Sequence, residues 1–127
     1  MIKVNLNDIL DASETFNTIM QQSFKGSLAF KIARLARELD KEMKTFNEER
    51  QKLLQRYCVK DENDELKTDD NGMVRVEPDK TNDFNEEFSS LLETEVEINA
   101  EKLSMDSLDS FDITPQQMIS IEKFFEE

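Results

Sequence analysis

Residues 27–58 read SLAFKIARLARELDKEMKTFNEERQKLLQRYC, and this stretch decides the fold. Apolar side chains fall at Leu28, Ile32, Leu35, Leu39, Met43, Phe46, Leu53 and Tyr57. Their spacings of 4, 3, 4, 4, 3, 7 and 4 residues hold one face of an α-helix for about eight turns. No proline interrupts the run, and the one nearby glycine, Gly26, stands at its start. Asp40 and Glu48 each precede a lysine, Lys44 and Lys52, by four residues, which supports a helix by about 0.2–0.5 kcal/mol per pair. The stretch predicts a helix of roughly 45–50 Å at ~1.5 Å per residue, longer than the ~10–14 residues usual in globular proteins.

On the N-terminal side, Ile2 and Val4 alternate around Lys3 as in a short strand. Asn5 or Asn7 can cap a first helix with Leu6, Ile9, Leu10, Phe16, Ile19 and Met20 near one face. Residues 23–26 then connect into the long helix, and so short a link either folds the two helices back as a hairpin or joins them through a near-continuous bend.

Beyond Cys58 the character changes, and residues 59–83 form an acidic loop rich in Asp, Asn and Lys. Within it, Asp69-Asp70-Asn71-Gly72 lies between Leu66 and Met73–Val76. Asn-Gly favours a tight turn because both residues tolerate positive φ, so a small β-hairpin is expected, bounded by Pro78. Phe84, Phe88, Leu91 and Leu92 mark a third helix, capped by Thr81 or Asn82 and packed antiparallel to the long one. Glu95-Val96-Glu97-Ile98-Asn99 alternates as a second strand, beside Ile2–Val4. Leu103, Met105, Leu108 and Phe111 anchor a polar connection.

The last helix carries the strongest local signal. Thr114-Pro115-Gln116-Gln117 places a hydroxyl at the N-cap, proline at the first helical position and glutamine three residues after the cap. Ile113 and Met118 occupy the two positions of a hydrophobic staple, and the helix should bury Met118, Ile121 and Phe125. No internal repeat is apparent. The fold class is therefore α+β, predominantly α, as one domain over residues 1–127.

Composition bounds the function. Nine phenylalanines argue against global disorder, although 35% of residues are charged. No apolar run approaches 18 residues and no charged-then-apolar leader is present, so neither a membrane span nor a secretory signal is expected. One cysteine, Cys58, makes no internal disulfide and suits a reducing cytosol. The net charge of −13 is uneven: residues 1–60 carry +3 and residues 61–127 carry −16. The acidic half either neutralises the basic helix within one fold or forms an acidic surface.

Catalytic and metal motifs are absent. There is no histidine to serve as a general base near neutrality or as an imidazole ligand. Without it, Cys58 has no catalytic partner. Gly26 and Gly72 are the only glycines, so no phosphate-cradling loop exists. Asp61-Glu62-Asn63-Asp64-Glu65 begins like a calcium loop but fails at the sixth position, Leu66, and at the twelfth, Gly72. Lys31, Arg34, Arg37, Lys41 and Lys44 line the flanks of the long helix. They are interleaved with Glu38, Asp40 and Glu42, which suits a solvated or internally paired face better than a nucleic-acid site. An apolar stripe left uncovered would instead serve a protein partner or a second copy of the chain. Met43, Phe46, Phe84, Phe88, Met118 and Phe125 are the candidate partner-binding residues.

Three blocks resemble an uncharacterised family of small acidic phage and prophage proteins. They are Ser27–Lys60, Phe84-Asn85-Glu86-Glu87-Phe88 through Ile98, and Leu108 through the Thr114-Pro115 helix start. The resemblance covers most of the chain beyond residue 25 and brings no catalytic residue with it. It implies a bacteriophage origin and a place in the host cytoplasm or the virion. Small phage proteins of this kind are virion or tail components, assembly factors, or inhibitors of host defences. The expectation is a non-enzymatic protein-binding protein without cofactors, with phage virion proteins or a host complex as partner and no direct contact with nucleic acid.

Overall fold

A computed structural model describes residues 1–126. The α+β, mostly helical class holds, with the long helix, the small hairpin and the C-terminal helix all present. The elements are β1 (Ile2–Asn5), α1 (Leu6–Ile19), α2 (Gly26–Tyr57), α3 (Thr81–Leu92), β2 (Glu95–Ile98) and α4 (Pro115–Ile121). Among the described residues no helix is long and apolar enough to cross a membrane. The chain divides into two compact units. One comprises Met1–Met43 and the chain from Thr94 onward, and the other comprises Lys44–Glu93.

In the first unit β1 and β2 pair antiparallel, with Ile2 opposite Ile98 and Val4 opposite Val96. Ile2, Val4 and Ile98 are buried, while Lys3 and Glu97 sit opposite each other on the exposed face, an opposite-charge pair that favours this register. Asn5 ends the strand and caps α1. Its side-chain oxygen accepts from the Asp8 N–H at 2.8 Å, and the Asp8 carboxylate accepts from the Asn5 N–H at 3.0 Å. This reciprocal cap satisfies two donors that a helix start otherwise leaves open. The face of α1 that is buried runs Leu6, Ile9, Ala12, Thr15, Phe16 and Ile19. Met20, expected near that face, is exposed because it lies beyond the helix's last turn.

The C-terminal elements cover α1. Phe16 meets Phe124 edge-to-face at 5.5 Å, and the hydroxyls of Thr15 and Ser120 share a 2.8 Å hydrogen bond. Thr15 is a buried polar residue, and that bond keeps it satisfied. Phe111 bridges Phe24 at 5.3 Å and Phe125 at 5.7 Å. Gln22 and the Asp112 backbone exchange two bonds at 3.0 and 3.1 Å. The expected capping box of α4 forms, with Thr114 Oγ1 accepting from the Gln117 N–H at 3.1 Å and Gln117 Oε1 accepting from the Thr114 N–H at 2.9 Å. A single 3₁₀ turn, Glu122–Phe124, follows α4. Ile121, Phe124 and Phe125 are buried and Met118 is half-buried.

The second unit is built on the C-terminal part of α2. Phe46 packs edge-to-face on Phe88 and Tyr57 on Phe84, each at 6.2 Å, and Phe84 stacks on Phe88 at 5.7 Å. Residue numbers rise along α2 as they fall along α3, so the two run antiparallel as expected. Arg56 Nη1 donates to both carboxylate oxygens of Glu87, at 2.9 and 3.2 Å. Two details depart from the sequence reading. The N-cap of α3 is Lys80, with no side-chain bond, because Pro78–Lys80 forms a 3₁₀ turn that leads straight into the helix. Lys52 pairs with Glu49 at 3.1 Å, three residues back, instead of with Glu48.

Ile32, Leu35, Leu39, Phe46 and Leu53 are all buried, so the α2 stripe is core. Leu39→Ala and Phe46→Ala should each lower stability by about 2–5 kcal/mol in urea unfolding. Losses under about 0.5 kcal/mol at both sites, the range of surface substitutions, would show that the stripe is not core.

Candidate partner-binding surfaces

The residues proposed from periodicity separate into two groups. Phe46 and Phe125 are buried and offer no side-chain surface to a partner, which corrects that expectation for both. Met43, Phe84, Phe88 and Met118 are half-buried, and the Phe84 and Phe88 rings already stack on each other. A helical period marks apolar positions but not which of them another element covers, and here the chain's own segments cover most of them.

The large apolar side chains left in solvent are elsewhere: Met1, Met20, Met73 and Met105 are exposed, and so are Phe30 and Ile119, each at 68%. The last two each stand two residues from a buried position on their own helix, Ile32 and Ile121. A two-residue step turns a helix by about 200°, so both point away from the core. That offset was visible in the sequence, where the stripe drew attention to the residues that obey it.

Both side chains line grooves of the first unit. Phe30 lies in one of about 490 Å³ with Met1, Lys31, Arg34 and Glu101. Ile119 lies in another of about 460 Å³ with Asp8, Asp11, Glu14, Glu122 and Lys123. Asp8 is engaged by Lys123 at 2.8 Å. Among the described residues no ion pair forms at Lys31, Arg34, Asp11, Glu14 or Glu122.

The acidic loop is more ordered than its composition suggests. Three short extended segments, around residues 58–60, 66–68 and 74–76, each pair with the other two through the bridges Cys58–Val76, Lys60–Leu66 and Thr68–Val74. Two turns of the same construction join them. In one, Asp61 Oδ1 accepts from the N–H groups of Asn63 and Glu65, at 2.9 and 3.1 Å. In the other, Asp69 Oδ1 accepts from those of Asn71 and Met73, at 2.8 and 3.0 Å. The fourth residue is left-handed in both, Asp64 at φ 61° and Gly72 at φ 78°. Each is a three-residue hairpin loop closed by a left-handed residue. The stretch is thus a short eight-residue repeat, Asp-x-Asn-Asp/Gly, which the sequence reading did not pick out.

Cys58 caps this region from inside. It is buried, and burial pushes its thiol above the ordinary range, so it packs as a small apolar residue. Among the described residues no group of three His, Cys, Asp or Glu side chains is placed to hold a metal ion. Comparison with protein-family models, with curated proteins and with solved structures finds no match.

The two turns make a paired prediction. Gly72→Ala should cost about 1–2 kcal/mol, because a Cβ disfavours left-handed backbone even though the space around it is open. Asp64→Gly should be neutral or stabilise by up to about 1 kcal/mol, since glycine takes that conformation freely. Urea titration of both variants checks this, and an unaffected Gly72→Ala protein would show that the turn is not held as described.

Proposed function

We propose that this chain is a non-enzymatic protein-binding protein of phage type, a virion, tail or assembly component. The observation that supports a binding role most directly is Phe30, a large aromatic side chain 68% exposed in a groove rimmed by Lys31 and Arg34, which form no ion pair among the described residues. An apolar centre within a charged rim is the ordinary anatomy of a protein interface. The phage setting rests on the sequence resemblance alone. A chain without histidine, carrying one buried thiol, also offers little for general acid–base or nucleophilic chemistry near neutrality.

A second reading has an observation of its own. Inhibition of a host defence or nucleic-acid-processing complex through an acidic surface needs carboxylates at fixed positions, and an unstructured loop would not supply them. The hydrogen bonds at Asp61 and Asp69 hold the two turns, and with them Glu62, Asp64, Glu65 and Asp70, all exposed.

The two readings separate in a pull-down from phage-infected cells at low and high salt, read by mass spectrometry. The bait is the wild type beside a variant carrying Asp61→Asn, Glu62→Gln, Asp64→Asn and Glu65→Gln. Asparagine at 61 keeps the side-chain oxygen that holds the turn, so the fold should survive. Capture of virion proteins by both baits at both salts is the expected result. Capture of a host nuclease or defence protein, lost in the variant and at high salt, would overturn it in favour of the inhibitor.

A further inference from the structure

We infer that this protein associates head-to-tail with copies of itself, the cationic surface around Phe30 of one copy meeting the acidic surface around Ile119 of the next. The linings of the two grooves are opposite in charge: Lys31 and Arg34 outnumber Glu101 in one, while Asp8, Asp11, Glu14 and Glu122 outnumber Lys123 in the other. Each holds mostly exposed large apolar side chains, Phe30 and Met1 in one and Ile119 in the other. Lys31 and Arg34 rim the first, and Asp11, Glu14 and Glu122 rim the second. Among the described residues none of these five forms an ion pair, so their charges remain available to a second copy. The grooves share no lining residue, so filling one leaves the other open.

A second copy is the partner that satisfies both surfaces at once. A separate acidic protein would match the Phe30 groove and a separate basic one the Ile119 groove, but each would leave the other groove unfilled. Polyanionic nucleic acid fits the Phe30 groove locally, yet it must approach a chain of net charge −13. That same net charge opposes self-association over long range. At ~0.15 M salt the Debye length is about 8 Å, so the long-range repulsion is screened more than charges in contact. A contact between two different patches closes as a ring or a reciprocal dimer, or continues as a filament. The inference rests on the grooves and not on the phage reading: a monomer that still captured a virion protein would end the former and leave the latter standing.

The test is sedimentation of the full chain at about 0.15 M salt, from micromolar to millimolar concentration, with two charge reversals. One variant carries Lys31→Glu and Arg34→Glu, and the other Asp11→Lys and Glu14→Lys. All four positions are exposed, and circular dichroism verifies the fold. The wild type should gain mass with concentration, each variant alone should associate at least tenfold more weakly, and their 1:1 mixture should recover the association. Phe30→Ser and Ile119→Ser, which leave every charge in place, should each weaken it as well. A wild type monomeric throughout would overturn the inference. So would association that ignores the reversals, a mixture that does not recover, or a single-stranded oligonucleotide bound through Lys31 and Arg34 by a chain that stays monomeric.

Discussion

One requirement organises much of this structure, that the apolar stripe of the 32-residue helix α2 be covered from Ile32 to Leu54. A helix in water is marginal without tertiary packing of its apolar face, and Ile32, Leu35, Leu39, Phe46, Leu53 and Leu54 are that face. The chain supplies the cover from two sources. Segments from both ends of the sequence join α2 residues up to Met43, and the stretch from Val59 to Glu93 joins the residues after it. The first unit is therefore discontinuous in sequence. Its strand pair joins residues 2–5 to residues 95–98, a closure that local contacts cannot secure alone. Register there is fixed by buried Ile2, Val4 and Ile98, since a one-residue slip would turn all three to solvent.

Polar groups make the arrangement specific. Two reciprocal caps, Asn5 with Asp8 and Thr114 with Gln117, set where α1 and α4 begin. The Thr15–Ser120 hydroxyl pair ties those helices at one partly buried point. An apolar surface alone tolerates sliding, whereas a buried hydroxyl left without its partner costs about 1–3 kcal/mol. In the second unit the Asp61 and Asp69 side chains do comparable work, each accepting two backbone N–H groups that a turn would otherwise leave to water.

Much of this was legible in the sequence. The α2 stripe, the α4 cap, the strand alternation at residues 2–4 and 95–98, and the Asn71-Gly72 turn are local patterns with local causes. What escaped depends on non-local cover. Phe46 and Phe125 look like Phe30 to any composition count, and only the packing of α3 and the C-terminal segment separates the buried rings from the exposed one. The eight-residue repeat escaped for another reason. Asp64 fills the left-handed position that Gly72 fills in its counterpart, which hides the shared turn from a reader looking for glycine. The start of α3 was misplaced because Thr81 is a good cap by residue type, yet the 3₁₀ turn at Pro78 already feeds the helix.

The proposed binding role rests on what the cores leave over: exposed Phe30 and Ile119, charges beside them that form no ion pair among the described residues, and two well-held acidic turns. Those surfaces rest on the claim that α2 serves two cores. Amide hydrogen exchange on the Leu53→Ala variant tests that claim most directly, because Leu53 is a buried residue of the second unit. Faster exchange in the second part of α2, in residues 58–76 and in α3, exceeding any change in β1, α1 and α4, is the predicted result. Equal acceleration in every element, or acceleration confined to α2, would contradict it.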